Sequence, residues 1–241
     1  MLLNLFTIPG FISLATLIFL EIILGIDNII FIALICSNLP KANQRQARVL
    51  GLTMALIFRI ILLISISWLV RLIHPLFSIG SFDVSGRDLI LFSGGLFLIY
   101  KTLKEIKDKL YSKEHSEEQK KTRLMALRQA IIQIALIDII FSFDSILTAV
   151  GLSNDLPVMI TAVVIAMMVM LFFAPFVSDF ITNYPTMKIL ALVFLLAIGS
   201  LLVIESFHLH IERNYIYFGM SFSLIVELLN IRLRKVMHQS K

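Results

Sequence analysis

Charge is what this 241-residue chain has least of: Asp, Glu, Lys and Arg together make up 15%. A soluble domain carries about 25% charged residues to clothe its surface, so the composition excludes an ordinary water-soluble fold. Cys36 is the single cysteine. It excludes an intrachain disulfide and a cysteine-built zinc cage, and it reads as a small buried hydrophobe. No Gly-x-x-x-x-Gly-Lys-Ser/Thr run is present, which leaves no phosphate cradle for direct ATP use. Met1–Gly10 holds no Lys or Arg. The chain thus lacks the basic start of a cleavable signal, and its first apolar run is expected to remain as a span. The formal net charge of +5 sits in short blocks between apolar runs. It reads as a topology signal, with no nucleic-acid partner implied.

What the chain has in abundance is hydrophobic length. Apolar residues make up 59%, and the mean hydropathy is +0.94. A bilayer core takes about 20 mostly apolar residues per helix. Seven segments meet or approach that length: 11–36, 49–70, 88–104, 129–151, 157–179, 187–206 and 215–231. Lys101 and Glu227 lie in or near the third and seventh of these. The spacing therefore predicts an all-α, polytopic membrane protein of seven helices, a single transmembrane domain over 1–232 with a basic cytoplasmic tail at 233–241. With the N-terminus outside, inner segments collect 17 cations against three outside (Arg71, Arg87 and Arg213), Arg59 lying within a span. Positive charge stays inside, so the N-terminus is expected outside and the C-terminus in the cytoplasm. Residues 101–128 form the one sizeable polar segment. Its Glu/Lys spacings of three and four predict a helical extension of the third span leading into a solvated cytoplasmic linker at 105–128.

The chain repeats itself. Residues 21–40 read EIILGIDNIIFIALICSNLP and residues 138–157 read DIIFSFDSILTAVGLSNDLP, an offset of 117 residues. Glu21 meets Asp138, Asp27 meets Asp144, Asn28 meets Ser145, and Leu39-Pro40 meets Leu156-Pro157. Repeat A covers 11–104 and repeat B 129–206, with the helix at 215–231 outside both. Three spans per repeat is an odd number, so the second copy enters the membrane inverted. Inverted repeats of this kind are a transporter architecture whose substrate site lies at the midplane.

Glu21, Asp27, Asp138 and Asp144 all fall near the centres of spans one and four. A carboxylate there costs at least about 2.5–3.5 kcal/mol on insertion scales, so four point to function. With Asn28, Ser142 and Ser145 they form an all-oxygen donor set that suits Mg²⁺, Ca²⁺ or Mn²⁺ better than Cu⁺ or Zn²⁺. Carboxylates this crowded also make proton coupling a natural expectation. Six residues at about 100° each set Glu21 and Asp27 on faces about 120° apart. Either spans one and four break, at Gly25 and at Ser142, or the carboxylates serve different positions along a path. The first is the expectation taken here. Arg59 in span two is expected to form a structural salt bridge, with Glu227 either its partner or part of the path. Asp179 and Glu205 fall at span ends near water, and the Glu205–His210 run offers a weak external relay for metal.

LEIILGIDNIIFI in span one and IDIIFSFDSILTAVG in span four resemble the paired signature of the TerC family, named for tellurium resistance. GLFLIYKTLKEI and ERNYIYFGMSFSLIVELLN extend the resemblance over nearly the whole chain. It implies a seven-span protein of the inner membrane, in a family several of whose bacterial members export Mn²⁺; no prosthetic group is expected. The family's acidic positions fall on Glu21, Asp27, Asp138 and Asp144, with Asn28 and Ser145 adjoining. It also raises a rival, a membrane-protein biogenesis factor, which would not need midplane carboxylates. An intramembrane aspartyl protease is the enzymatic rival, and the sequence lacks the Gly-x-Gly-Asp pattern of that class.

Overall fold

The computed structural model describes residues 7–65, 75–79, 82–111, 122–152, 155–209 and 211–239. Its elements in chain order are α1 (Ile8–Leu24), α2 (Ile26–Ser37), α3 (Lys41–Ile64), β1 (Pro75–Ile79), β2 (Phe82–Ser85), α4 (Gly86–Tyr111), α5 (Thr122–Leu152), α6 (Leu156–Asn183), α7 (Pro185–Glu205) and α8 (Arg213–Gln239). Among the described residues five helices are long and apolar enough to cross a membrane: α3, α5, α6, α7 and α8. The pair α1 and α2, bent by 41° at their junction, makes a sixth. Segment 88–104 is helical within α4, but Asp88 and Lys101 confine its apolar run to Leu89–Tyr100. That is short of the roughly 20 residues that a span requires.

Two expectations are corrected. The chain is not purely helical, because β1 and β2 pair antiparallel, with Ile79 opposite Phe82 and Ser78 opposite Asp83. Gly80-Ser81 between two β-prone runs is a hairpin signal that hydropathy alone does not carry. Ser85 then starts α4 with a reciprocal cap. Asp88 Oδ2 accepts from the Ser85 amide (2.9 Å) and hydroxyl (2.7 Å), while the Asp88 amide donates to Ser85 Oγ (3.2 Å).

The second correction concerns the paired breaks. Span one does break at Gly25, whose amide still donates to the Glu21 carbonyl (2.9 Å) as α1 ends. Span four does not, since α5 runs unbroken through Ser142–Ser145. The copies differ where the break would fall, Gly25 in the first and Ser142 in the second. Glycine lowers the cost of leaving the helix. Ser142 keeps its Cβ, and its hydroxyl bonds the Asp138 side chain one turn back (3.0 Å), which is compatible with a regular helix.

The chain divides into two compact units, Met1–Ile90 with His115–Asp179, and Leu91–Glu114 with Phe180–Lys241. In the first, α5 packs against α1, α2 and α3. Leu17, Ile32, Leu63, Ile134, Ile146 and Met170 are buried. A Cβ on Gly51 would stand 2.9 Å from Ile134 Cδ1, so α3 and α5 cross at a glycine. In the second unit α4 and α7 cross at two glycines. A Cβ on Gly95 would come within 2.7 Å of the Gly199 carbonyl oxygen, the close backbone approach that small residues permit between membrane helices. Lys188 lies 3.9 Å from Glu105 in the same unit.

Candidate cation site

The site is assembled from one face of each repeated helix. Glu21 lies one turn before the break and Asn28 in the first turn after it. The break at Gly25 interrupts the helical count between them, yet both converge on one cluster, Glu21 through Arg59 and Asn28 on the Asp138 oxygen that Arg59 also bonds. Asp138, Ser142 and Ser145 on α5 recur at spacings of four and three, one face of that helix. Arg59, on α3, stands between these two faces.

Every member is withdrawn from solvent. Glu21 is 1% exposed, Ser142 1%, Arg59 2%, Asn28 3%, Asp138 3% and Ser145 4%. Arg59 Nη1 donates to Glu21 Oε2 at 2.5 Å, and Nη2 to Asp138 Oδ1 at 3.0 Å. The same Asp138 oxygen accepts from the Asn28 amide nitrogen at 3.0 Å, and its other oxygen from the Ser142 hydroxyl at 3.0 Å. The Ser145 hydroxyl bonds the Ser142 carbonyl at 3.2 Å and lies close to the Glu21 carboxylate.

The two carboxylates are treated unequally. Asp138 collects three donors. Glu21 accepts from Arg59 through Oε2 with the Ser145 hydroxyl near its carboxylate, and its Oε1 is buried with no hydrogen-bond partner, as are Asn28 Oδ1 and Arg59 Nε. A buried acceptor without a donor costs about 1–3 kcal/mol. Two such acceptors beside a two-carboxylate cluster are an arrangement that a cation would satisfy. Among the described residues no three Asp, Glu, His or Cys side chains converge as a metal cage. The cation that does hold Glu21 and Asp138 together is the Arg59 guanidinium.

Asp27 is buried in the first turn of α2, where a helix N-terminus favours negative charge. It is turned about 100° from the Asn28 face. Asp144 has its backbone in α5, and its side chain lies outside the described residues. The structure thus joins Glu21, Asn28, Asp138 and Ser142 around Arg59, with Ser145 beside them. Asp27 lies on a different face.

Arg59 contacts two carboxylates where the sequence suggested a single salt bridge. Sequence spacing did not single out Asn28 over Asp27, because the break at Gly25 interrupts the helical count from Glu21. Glu227, offered by the sequence as a partner for Arg59 or as part of the path, accepts from the Asn230 amide at 3.5 Å on α8. Asp179 is exposed near the end of α6, and Glu205 is buried as the last residue of α7. His208 is exposed with φ of 60°, and His210 lies outside the described residues.

A family model described as "Integral membrane protein TerC family" matches residues 6–241. A Haemophilus influenzae relative named UPF0053 protein is 50% identical over 228 residues, 95% of this chain and 96% of the relative. The Escherichia coli K12 UPF0053 inner membrane protein YgdQ is 51% identical over 222 residues, 92% of each chain. A longer Escherichia coli K12 relative, the UPF0053 inner membrane protein YoaE, is 44% identical over 230 residues, 95% of this chain and 44% of the relative. No solved structure matches the chain.

Proposed function

The chain belongs to the TerC family of integral membrane proteins, and from that premise we propose that it is a secondary transporter exporting divalent metal ions, Mn²⁺ foremost, from the cytoplasm. One observation carries the reading. Glu21 Oε1 and Asn28 Oδ1 are buried acceptors without donors, set against Asp138 among helices that read as membrane spans. A hard divalent ion takes oxygen ligands of this kind. Asp27 and Asp144, at matched positions of the two copies, extend the negative charge along the path. Proton exchange at the carboxylates supplies the counter-ion, and no prosthetic group enters.

The topology belongs to the same proposal. Seven spans, with α4 contributing the shortest apolar run, form an inverted 3+3 repeat and one additional helix. The N-terminus lies outside and the C-terminus in the cytoplasm of a bacterial inner membrane, as the distribution of Lys and Arg favours.

The test is ion flux in proteoliposomes holding the purified protein, screened over Mn²⁺, Ca²⁺, Mg²⁺ and Zn²⁺ with and without a pH gradient. Mn²⁺ is expected to move, and Asp27→Asn to abolish that movement while leaving the melting temperature close to wild type. The amide keeps size and one acceptor but removes the charge that offsets dehydration of the ion. Wild-type vesicles impermeable to all four ions under both conditions would overturn the proposal.

A further inference from the structure

Arg59 is buried at the point where the two repeated faces meet, and it bonds one oxygen of each acidic residue that begins a repeat motif. At the 117-residue offset its counterpart is Phe176, an exposed apolar residue on α6. The carboxylates are therefore duplicated and the arginine is not. One guanidinium serves both copies, and it spans them through its two terminal nitrogens.

From this we infer that Arg59 is a tethered counter-cation of the transport site, competing with the metal ion for Glu21 and Asp138, so that guanidinium and ion hold these carboxylates in turn. The inference rests on the metal-transport reading above and specifies how its site is loaded and emptied. A divalent ion and a guanidinium need the same carboxylate oxygens, and a dication beside Arg59 repels it at close range in a medium of low dielectric. The free acceptors give the ion a first foothold. Glu21 Oε1 and Asn28 Oδ1 carry no donor, so contact with them displaces no existing bond. From there the ion draws Glu21 and Asp138 away from Arg59.

Charge follows the same logic. With both carboxylates ionised, Arg59 leaves the cluster one net negative charge, whereas a dication in its place leaves none. Return of the guanidinium supplies the charge that expels the ion.

Mn²⁺ binding to purified full-length protein, measured by titration calorimetry, and Mn²⁺ flux in proteoliposomes test this together. Arg59→Gln is expected to bind Mn²⁺ about tenfold more tightly, the change in affinity that about 1.4 kcal/mol of lost competition produces, while its flux falls at least about tenfold. Arg59→Lys keeps the charge but not the two-pronged reach. It decides the question if the glutamine variant does not fold, with tighter binding and slower flux expected in the same directions. Wild type carries a measurement of its own. With ¹³C-labelled arginine, Mn²⁺ should shift a guanidinium infrared band with the same midpoint as binding.

An unshifted guanidinium spectrum at saturating Mn²⁺, or a folded Arg59 variant that binds Mn²⁺ no more tightly than wild type, would overturn the inference while leaving metal transport standing. Wild type that neither binds nor carries Mn²⁺ would overturn the transport reading itself.

Discussion

Asp138 is the residue on which the cluster turns. It accepts from Arg59, Asn28 and Ser142, whereas Glu21 accepts from Arg59 through one oxygen and leaves the other without a donor. Neutralising the two acids should therefore have unequal effects. In Asp138→Asn the new NH₂ group faces either the Ser142 hydroxyl, which must turn to accept, or the Arg59 and Asn28 donors, and Arg59 keeps only Glu21 as an ionised partner. Either variant breaks one of the two buried Arg59 pairs; Asp138→Asn also disturbs the bonds from Asn28 and Ser142, which places its cost toward the lower end of the about 3–5 kcal/mol of a broken buried pair. In Glu21→Gln the guanidinium keeps its bond to Asp138, and the loss is nearer about 1–3 kcal/mol, that of a buried hydrogen bond left unmade. Melting curves in detergent, read beside the yield of inserted protein, should place Asp138→Asn clearly below Glu21→Gln. Equal melting temperatures for the two variants would show that the three donors around Asp138 contribute less than their geometry implies.

At the scale of elements, the two copies of the motif have diverged at one position, and the glycine has consequences of its own. A Cβ on Gly25 would stand 2.6 Å from Met170 Sδ and 2.9 Å from the Glu21 carbonyl oxygen. The methionine can swing aside, but the carbonyl closes the last turn of α1 and cannot. Gly25→Ala is expected to cost about 1–3 kcal/mol, the range of an overpacked core, and Met170→Ala in the same chain should restore only part of the loss. Full recovery in the double variant, by detergent melting, would mean that the Met170 contact alone makes Gly25 necessary. The weak point at Gly25 was legible in the sequence, because a glycine lies between carboxylates that a regular helix sets on different faces. Continuity at Ser142 was not, since it depends on a hydroxyl that can serve the helix as readily as a ligand. The hairpin of β1 and β2 was legible only to a search for turns. That Arg59 forms a salt bridge was legible in a lone cation within a span; its two partners were not, because they lie 38 and 79 residues away in the chain and only the packing of α1, α3 and α5 brings them together.

For the whole molecule the remaining question is which end of each span faces which compartment. The count of cations that sets the orientation takes every Lys and Arg outside the spans as a free marker. Arg48 and Lys188 are among those with partners in the fold. Arg48 is buried and donates to the Ala174 carbonyl (3.3 Å), and Lys188 lies beside Glu105. Removing both leaves the asymmetry intact, because the nine cations between Lys101 and Arg128 and those from Arg232 onward supply most of it. Orientation therefore rests on the polar linker and the tail, which can be probed directly. Cys36 is the only native thiol and is fully buried, so Cys36→Ala gives a background without reactive sulfur. On it, Leu76→Cys in β1, a position 59% exposed, should react with a membrane-impermeant maleimide added to intact spheroplasts. Ser116→Cys in the linker and Ser240→Cys in the tail should react only after the membrane is opened. Seven spans require Leu76 and Ser240 to lie on opposite sides, and an apolar run as short as Leu89–Tyr100 must then cross the bilayer. Labelling of Leu76→Cys and Ser116→Cys from the same side would mean that α4 does not cross. The first half would then have two spans instead of three, and the copies could no longer be inverted relative to each other.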